Sequence, residues 1–568
     1  MSDFSNLSSH SNFKEVEFHC RTVSNQNLVH KLNRRETTAP KHGSQWVSMR
    51  AFYQCIIPNF TVVDVEKPPF FLRKFSPDGR HFIVFSADQT SVEVYEFKGC
   101  QAAENLLSSV TGEIFHENLK QSTHYKKFQQ HVREKLFSKF FVLKYKIPVA
   151  NEAQNLNREC SLFTDDGRYV LVVSAAITTV PTPDSQTGIN YDIYSNNEAL
   201  NPNPRYPLED YALHSVNILN GTLRCSVPFK CDKIFLSHNQ GLYLFKNVLA
   251  VLSVQHQNIY VFHVKEGNLV LMRSIGRFCF EDDRHTINAI QSRELDAVII
   301  KPFHEKTFNS LKHRLLTFLY KQAANESKES LCRFFQRFSF LEDLRMWRMQ
   351  LLDEDHVLIK YATSDVVSLR IPEPSAQPSF FVVYNLRDSK IIGAYENTSI
   401  KFLKIFEKNP GLFRGADVVR GQLQAACSDI YSSQIQQRFK ETIINAKYGG
   451  HTEAVKRLLG QIPVPSQTHS PSPYLDLALF SYDDKWISPV ERPKASGDYP
   501  IRFYSRKSGM LRFQIRAGML PGNGNRSSAR KLVAFTFHPH EPFAMSVQRI
   551  NTDYVLNFHF RHVVSGDG

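Results

Sequence analysis

The sequence predicts an all-β dominated fold, a β-propeller of six or seven blades with helical insertions and an N-terminal arm. The clearest unit is FLRKFSPDGRHFIVFSADQTSVEVYEF at residues 71–97, where runs rich in Phe, Ile, Val and Tyr alternate with polar breaks. Pro77, Asp78 and Gly79 form a turn signal, because Pro presets φ, Asp bonds back to the backbone and Gly accepts a positive φ. We therefore expect three antiparallel strands in this segment.

Units with the same succession of apolar runs and turn residues recur along the chain. They lie at 160–175, 233–264, 346–371, 475–491 and 532–560. One such sheet cannot bury its own faces, so a repeated sheet unit indicates an array, and separate turns within each unit favour a propeller over a sandwich. The alternative is a set of unrelated antiparallel hairpins in an all-β domain.

The last unit shows three strands rather than four. A strand candidate near the start of the chain, residues 46–57, belongs to no unit of its own. Because an unpaired sheet edge invites aggregation, we predict that residues 46–57 pair with the last blade.

The pattern divides the chain into six segments. These are 1–45, an arm with a docking helix; 46–300, the first blades; 301–345, a helical insert; 346–396, a further blade; 397–465, a second helical insert; and 466–568, the C-terminal blades that close with the N-terminal strand. Apolar residues at helical spacing predict the two inserts. Residues 101–135 and 177–210 are expected to be long loops.

Charge and cysteine content restrict the class of protein. The net charge of +14 is spread along the 568 residues, which permits contacts with nucleic acids or acidic partners without requiring them. The nine cysteines are scattered with no CxxC pair, so we expect free thiols in a reducing compartment. The start of the chain lacks a secretory pattern, and the apolar stretch at 169–180 is too short to span a bilayer. We expect a soluble intracellular protein.

Sequence motifs of catalysis are missing. GxxxxGK[ST], GxGxxG after a strand and GxSxG do not occur. The run His538-Pro-His540-Glu541 lacks the helical spacing of a zinc protease and is expected to be a solvated turn. We therefore assign no catalytic, cofactor-binding or metal-binding residues and predict that the protein is not an enzyme.

A short basic helix candidate at 25–35 precedes every predicted blade. Leu28, Val29 and Leu32 share one face, and Arg34 and Arg35 end the segment. One interpretation is a docking helix that enters a partner's groove. The others are a short helix packed on its own domain and a disordered segment.

Several long runs resemble one protein family. They include FTVVDVEKPPFFLRKFSPDGRHFIVFSADQTSVEVYEF, LRMWRMQLLDEDHVLIKY, RFKETIINAKYGGHTEAVKRLLGQ and LVAFTFHPHEPFAMSVQR. In these runs the chain closely resembles the De-etiolated-1 protein family in its animal-type form. The resemblance extends from about residue 24 to the C-terminus and fades at 1–20, 101–150, 177–200 and 400–428.

The resemblance implies a nuclear, non-catalytic component of a cullin-RING ubiquitin ligase, with the cytoplasm as a second location. The implied partners are DNA damage-binding protein 1, the small companion subunit of that adaptor, the cullin-RING scaffold, ubiquitin-conjugating enzymes and the constitutive photomorphogenesis ligase. The implied role is that of a scaffold, adaptor or substrate receptor that promotes degradation of transcription regulators. The run NLVHKLNRR looks like the helices by which substrate receptors dock on the adaptor, which implies docking roles for Leu28, Val29, Leu32, Arg34 and Arg35.

A second function remains open. A basic propeller could bind chromatin directly, through DNA or histone tails. No RNP-type aromatic motif or zinc finger supports specific nucleic-acid readout, so direct nucleic-acid binding is the less favoured alternative.

Overall fold

A computed structural model of the chain describes residues 29, 33, 52–108, 114–115, 123–151, 153–177, 198–200, 207–276, 310–368, 377–413, 418–419, 422–423, 430–477, 479–483, 487, 500–515, 531–550 and 553–562.

The strands are numbered in chain order. They are β1 (Phe60–Glu66), β2 (Phe71–Phe75), β3 (His81–Phe85), β4 (Ser91–Phe97), β5 (Ile114–Phe115), β6 (Phe141–Pro148), β7 (Asn155–Phe163), β8 (Tyr169–Ile177), β9 (Glu209–Asn217), β10 (Thr222–Asp232), β11 (Leu242–Phe245), β12 (Val248–Ser253), β13 (Asn258–Lys265), β14 (Asn268–Ile275), β15 (Leu344–Leu351), β16 (His356–Thr363), β17 (Ser379–Asn385), β18 (Lys390–Glu396), β19 (Val418–Val419), β20 (Gln422–Leu423), β21 (Phe480–Ser481), β22 (Ile501–Ser505), β23 (Leu511–Ile515), β24 (Lys531–Phe537), β25 (Phe543–Ile550) and β26 (Asp553–Phe560).

The α-helices are numbered in the same way. They are α1 (Glu104–Leu107), α2 (Thr123–Phe140), α3 (Ser310–Glu326), α4 (Lys328–Gln336), α5 (Phe338–Asp343), α6 (Ser364–Val367), α7 (Ile400–Lys408), α8 (Pro410–Phe413), α9 (Ile430–Ile444) and α10 (His451–Leu459). No helix in the described part of the chain is long and apolar enough to cross a membrane.

The chain forms two compact units. The central unit comprises Met1–Glu17, Val149–Gly415 and Gln437–Gln467, and the terminal unit comprises Phe18–Pro148, Ala416–Gln436 and Thr468–Gly568.

The described residues of the central unit form three four-stranded antiparallel sheets. Their spatial orders are β10-β9-β8-β7, β11-β12-β13-β14 and β15-β16-β17-β18. Strands that follow one another in the chain are neighbours in each sheet, as the repeated sequence pattern predicts. The protein is therefore mostly β, with several four-stranded antiparallel sheets.

Helices cover both faces of the β15–β18 sheet within the central unit. On one face, Leu315 of α3 and Val366 of α6 belong to the same buried cluster as Trp347, Ile359 and Val382. The opposite face forms a second cluster with α7, α8 and α10, whose buried members include Phe381, Leu358, Phe402, Phe413 and Leu458. The helical segments thus contribute buried apolar surface, which is the main stabilising term in folding.

The described residues of the terminal unit form four further sheets. Their spatial orders are β2-β3-β4-β6, β24-β25-β26-β1-β5, β21-β22-β23 and the two-stranded β19-β20. Phenylalanines dominate the cluster between the first two sheets: Phe75 lies 4.8 Å from Phe82, and Phe97 lies 4.8 Å from Phe543, measured between ring centroids.

One predicted loop is a helix. Residues 101–135 were expected to be a long loop, but α2 covers Thr123–Phe140 and buries Val132, Leu136 and Phe140 against the aromatic cluster. The loop prediction was wrong here because apolar side chains at helical spacing are separated by many Lys and Gln residues, which lower the mean hydropathy of the segment.

The strand that completes the last sheet is not the predicted one. Residues 52–57 form a helical turn rather than a strand, whereas β1 pairs antiparallel with β26, with Phe60 opposite Phe560 and Thr61 opposite His559. The prediction of a strand at 46–57 was therefore wrong for its described part. The closing strand lies downstream of Pro58, where the run FTVVDVE has β-branched residues at successive positions.

Inner strands of the sheets are more buried than several of the last strands. The strands β3, β8, β12 and β16 are buried along most of their length, whereas β6, β10 and β14, the last strands of their sheets, are mostly exposed. The sheets that end in β6, β10 and β14 therefore have a buried interior and an exposed edge.

Three hairpin turns share one hydrogen-bonding pattern. Ser76 Oγ donates to Asp78 Oδ1 at 2.5 Å and accepts from the backbone N–H of His81 at 3.0 Å. Thr164 and Asp166 repeat both contacts at the β7–β8 turn, and Ser86 and Asp88 repeat them at the β3–β4 turn. The hydroxyl-x-Asp spacing thus fixes the turns that the sequence marks with FSPDG, FTDDG and FSADQ.

Candidate functional site

The predicted docking helix is described only at two positions. Val29 is helical and 70% exposed, and Asn33, four residues later, is helical and exposed. Positions four apart share one helix face, so these two residues define an exposed stripe. Leu28, Leu32, Arg34 and Arg35 lie outside the described residues.

The run His538-Pro-His540-Glu541 is a packing contact within the terminal unit rather than a fully solvated turn. The His538 side chain is buried, and its Nε2 donates to the Gly79 carbonyl at 2.9 Å. Its Nδ1 accepts from the backbone N–H of Glu541 at 2.7 Å, so the ring is neutral. Burial lowers the pKa of His538 to about 4. The expectation of a solvated turn was wrong for His538 because Phe75 and Phe97 surround its ring.

Two buried histidines, one in each of two sheets, hydrogen-bond the strands on both sides of their own strand. His559 of β26 hydrogen-bonds Thr61 of β1 through Nδ1 at 3.1 Å and Ser546 of β25 through Nε2 at 3.0 Å. His214 of β9 hydrogen-bonds Ser226 of β10 at 2.7 Å and Ser174 of β8 at 2.8 Å.

The surroundings of these histidines explain their role. Burial lowers the pKa of His214 to about 4 and that of His559 to about 3, so both rings are neutral near pH 7. A neutral imidazole both donates and accepts, which lets it satisfy a hydroxyl on each side. Sequence reasoning missed these residues, although alternation of polar residues in apolar strands is a signal for them.

The central unit also contains a serine, an aspartate and a histidine in contact. Ser253 Oγ donates to Asp232 Oδ1 at 2.7 Å, and the backbone N–H of His256 donates to Ser253 Oγ at 3.1 Å. All three side chains are buried, and burial raises the pKa of Asp232. In a catalytic triad the serine hydroxyl bonds the imidazole and the imidazole bonds the carboxylate. Here the hydroxyl bonds the carboxylate directly, and His256 Nε2 bonds the carbonyl of Cys231 at 2.9 Å, so the contacts form a turn rather than a triad.

The described residues contain no cluster of three or more His, Cys, Asp or Glu side chains that could hold a metal ion. Cys55, Cys100, Cys225, Cys231 and Cys332 are free thiols.

The edge strand β14 exposes an apolar run. Val270, Leu271 and Met272 are 49%, 52% and 62% exposed, which makes three consecutive exposed apolar side chains. Large exposed apolar patches mark surfaces that other protein segments contact. The run lies on the outer strand of the β11–β14 sheet.

Comparison with known proteins identifies the family. The profile of De-etiolated protein 1 Det1 matches residues 158–562, more than half of the chain. The chain belongs to the De-etiolated protein 1 family. The family profile thus covers most of the central unit and the C-terminal sheets of the terminal unit, and the resemblance inferred from the sequence is confirmed.

Two plant relatives match almost end to end. The chain is 28% identical to the light-mediated development protein DET1 of Solanum lycopersicum over 552 residues, covering 94% of this chain and 99% of the relative. It is 28% identical to the protein of the same name from Arabidopsis thaliana over 572 residues, with the same two coverages. The De-etiolated-1 relatives are therefore similar over both units.

Solved structures are more distant. The β-propeller domain of Cps50 (Swd1) from Myceliophteria thermophila is 7% identical, with a TM-score of 0.30, covering 89% of this chain and 100% of that one. A putative exported protein of Bacteroides fragilis is 10% identical, with a TM-score of 0.19, covering 61% of this chain and 60% of that one.

Proposed function

We propose that this De-etiolated-1 family member is a non-catalytic scaffold, adaptor or substrate-receptor component of a nuclear cullin-RING ubiquitin ligase. It binds DNA damage-binding protein 1 and ubiquitin-conjugating enzymes and promotes ubiquitination and degradation of transcription regulators. Its further partners are the companion subunit of the adaptor, the cullin-RING scaffold and the constitutive photomorphogenesis ligase. The proposal rests on the family relationship together with one structural observation, the exposed helical stripe at Val29 and Asn33.

The stripe supports docking for a physical reason. An apolar side chain that is 70% exposed on a helix, as Val29 is, gains free energy when a partner groove covers it. The predicted neighbours on that face are Leu28 and Leu32, and Arg34 and Arg35 add positive charge at the C-terminal end of the segment. An acidic rim around an apolar groove would complement this helix.

The fold is part of the same proposal. We interpret the four-stranded sheets as blades of a β-propeller, each with buried inner strands and, at β6, β10 and β14, an exposed edge strand. The repeated hydroxyl-x-Asp turns and the burial pattern support this interpretation. Propellers present extended rims and loops for partner proteins, which suits an adaptor.

Direct binding to purified DNA damage-binding protein 1 tests the function. Replacing Leu28 and Leu32 together by Asp should abolish co-purification, because two carboxylates cannot enter an apolar groove without losing their hydration. The matched control replaces Gln26 and His30 by Asp, which adds two carboxylates at the same four-residue spacing on the other side of the predicted helix and should leave binding intact. Retained binding by L28D/L32D, with unchanged thermal unfolding, would disprove the docking role.

Direct chromatin binding is the second candidate, and the net charge of +14 is the observation in its favour. Titration of duplex DNA at increasing salt separates it from the first, because binding through phosphate contacts weakens steeply as salt rises. The ligase proposal predicts no tight DNA binding near physiological salt.

A further inference from the structure

A row of four side chains crosses one face of the β15–β18 sheet. Arg348 of β15 is paired with Lys360 of β16, Lys360 with Phe381 of β17, and Phe381 with Tyr395 of β18. Directly opposite residues on neighbouring strands point to the same face. Two cations therefore lie side by side next to two aromatic rings.

Lys360 is buried, and no acidic residue in the described part of the chain pairs with it. Its side chain is 3% exposed, and Nζ lies 5.2 Å from the ring centroid of Trp347 and 5.2 Å from that of Phe381. Within the described residues, Lys360 makes no ion pair or side-chain hydrogen bond. The aromatic faces offset part of the charge, since a ring face attracts a cation, but they donate no oxygen.

Arg348 adds a second positive charge, which no carboxylate of the described ranges neutralises. Its guanidinium lies 4.5 Å from the ring centroid of Trp347, and its Nε is buried with no hydrogen-bond partner. The side chain retains partial solvent exposure, so the pair can be reached from the side of Arg348. Burial and the charge of Arg348 lower the pKa of Lys360 to about 8, and burial lowers that of Arg348.

In the same unit, a second buried lysine among the described residues is neutralised by a carboxylate. Lys312 is also 3% exposed, but its Nζ lies 3.5 Å from Glu198 Oε2 and donates to the carbonyl of Leu344. Arg345 contacts the same carboxylate at 3.1 Å. Among the residues that the structure describes, a carboxylate therefore accompanies Lys312 and none accompanies Lys360.

Two adjacent cations, one buried and one partly exposed, repel each other and lose hydration, which is costly unless a negative group joins them. We propose that Lys360 and Arg348 bind a phosphate group, which enters from the side of Arg348 and rests against Trp347. A phosphate matches the pair better than a carboxylate because it carries close to two negative charges at neutral pH and has three acceptor oxygens. The site is independent of the docking helix and of the ligase proposal.

Trp347 provides a direct reporter of the site. The chain has three tryptophans, at 46, 347 and 486, so a full-length W46F/W486F protein has Trp347 as its single tryptophan. Inorganic phosphate, O-phospho-L-serine and acetate are titrated into this protein at constant ionic strength, with chloride as the balancing anion. We expect saturable changes in Trp347 emission with the two phosphates and weaker ones with acetate.

The two phosphate probes distinguish the source of the group. Tighter binding of O-phospho-L-serine than of inorganic phosphate indicates a phosphorylated side chain of a partner, and equal or weaker binding indicates a free phosphate compound. Both outcomes support the site. Acetate binding as tight as phosphate binding would contradict the proposed ligand chemistry.

Three variants decide whether Lys360 and Arg348 form the site. In the single-tryptophan protein, Lys360→Met and Arg348→Gln should each weaken phosphate binding by about tenfold or more, the loss of one charge-assisted contact. Lys390→Met removes an exposed lysine from the same sheet and should change nothing. Equal phosphate binding by the parent and both site variants, or no saturable response in the parent, would overturn the proposal. Arg348→Gln, at a partly exposed position, keeps the test valid if Lys360→Met does not fold.

Discussion

His538 Nε2 donates a hydrogen bond to the carbonyl of Gly79 at 2.9 Å, although 459 residues separate the two in the chain. The contact joins the turn between β24 and β25 to the turn between β2 and β3. A Cβ on Gly79 would lie 2.4 Å from His538 Cε1, closer than nonbonded carbon atoms approach. Glycine is thus required at position 79 for two reasons: His538 leaves no room for a Cβ, and the backbone φ is +75°.

Replacing Gly79 tests this contact. Gly79→Ala should destabilise the protein more than Gly509→Ala, because both glycines have positive φ but a Cβ at Gly509 would meet no atom within 4 Å. The left-handed backbone alone costs about 1 kcal/mol, and overpacking against His538 adds about 1–3 kcal/mol. Urea unfolding of the full chain measures the loss of stability in each variant. Equal losses for the two variants would show that His538 moves aside freely.

The pairing of β1 with β26 predicts the effect of shortening the chain. Removing residues 1–67 deletes β1 and leaves β26 with an unpaired edge, so we expect aggregation on expression. Removing residues 1–51 retains β1 and should leave the terminal unit folded. Size-exclusion chromatography distinguishes the outcomes, and a soluble, cooperative protein lacking 1–67 would contradict the role of β1.

The buried histidines predict acid sensitivity. The folded-state pKa of His559 is lowered to about 3, so below pH 6.5 the unfolded chain takes up a proton that the folded protein does not. Stability is therefore complete above pH 6.5 and declines as the pH falls toward 3, by about 1.4 kcal/mol per pH unit for this residue. His559→Gln should flatten the pH dependence by that amount between about pH 6 and 4. Parallel curves for the two proteins would contradict the burial of a neutral ring.

Lys360 should make the stability of the protein depend on pH in the alkaline range. Its folded-state pKa is lowered to about 8, so between about pH 8 and 10 the unfolded state binds more protons and the wild type gains stability as pH rises. Without phosphate, Lys360→Met should be more stable than the wild type at pH 7, and the difference should narrow by pH 10. Denaturant unfolding of both proteins at pH 7 and pH 10 measures this difference in stability. A difference that does not change with pH would indicate that Lys360 is not charged and buried at pH 7.

Some features of the fold can be predicted from the sequence because they depend on residues that are close together in the chain. The turn at 75–80 follows from Pro77, Asp78 and Gly79, and the sheet units follow from runs of Phe, Ile and Val between such turns. The helices α3 and α10 follow from apolar residues at helical spacing.

Other features depend on partners far away in the chain. The burial of His538 depends on Gly79 and two phenylalanines of other strands, and the cation pair depends on the register that places Arg348 opposite Lys360. The choice of closing strand was wrong because the apolar residues at 46–57 favour a strand locally, although 52–57 form a helical turn. Tertiary packing overrides such local preferences.

The adaptor role is tested most directly by affinity purification from cells followed by mass spectrometry. The wild-type chain, a chain lacking 21–36 and a control lacking 1–16 are compared at equal abundance. We predict that the wild type and the control capture DNA damage-binding protein 1, the cullin scaffold and ubiquitin-conjugating enzymes, and that removing 21–36 eliminates the adaptor and the cullin together. Undiminished capture of both by the folded chain lacking 21–36 would contradict docking through this helix.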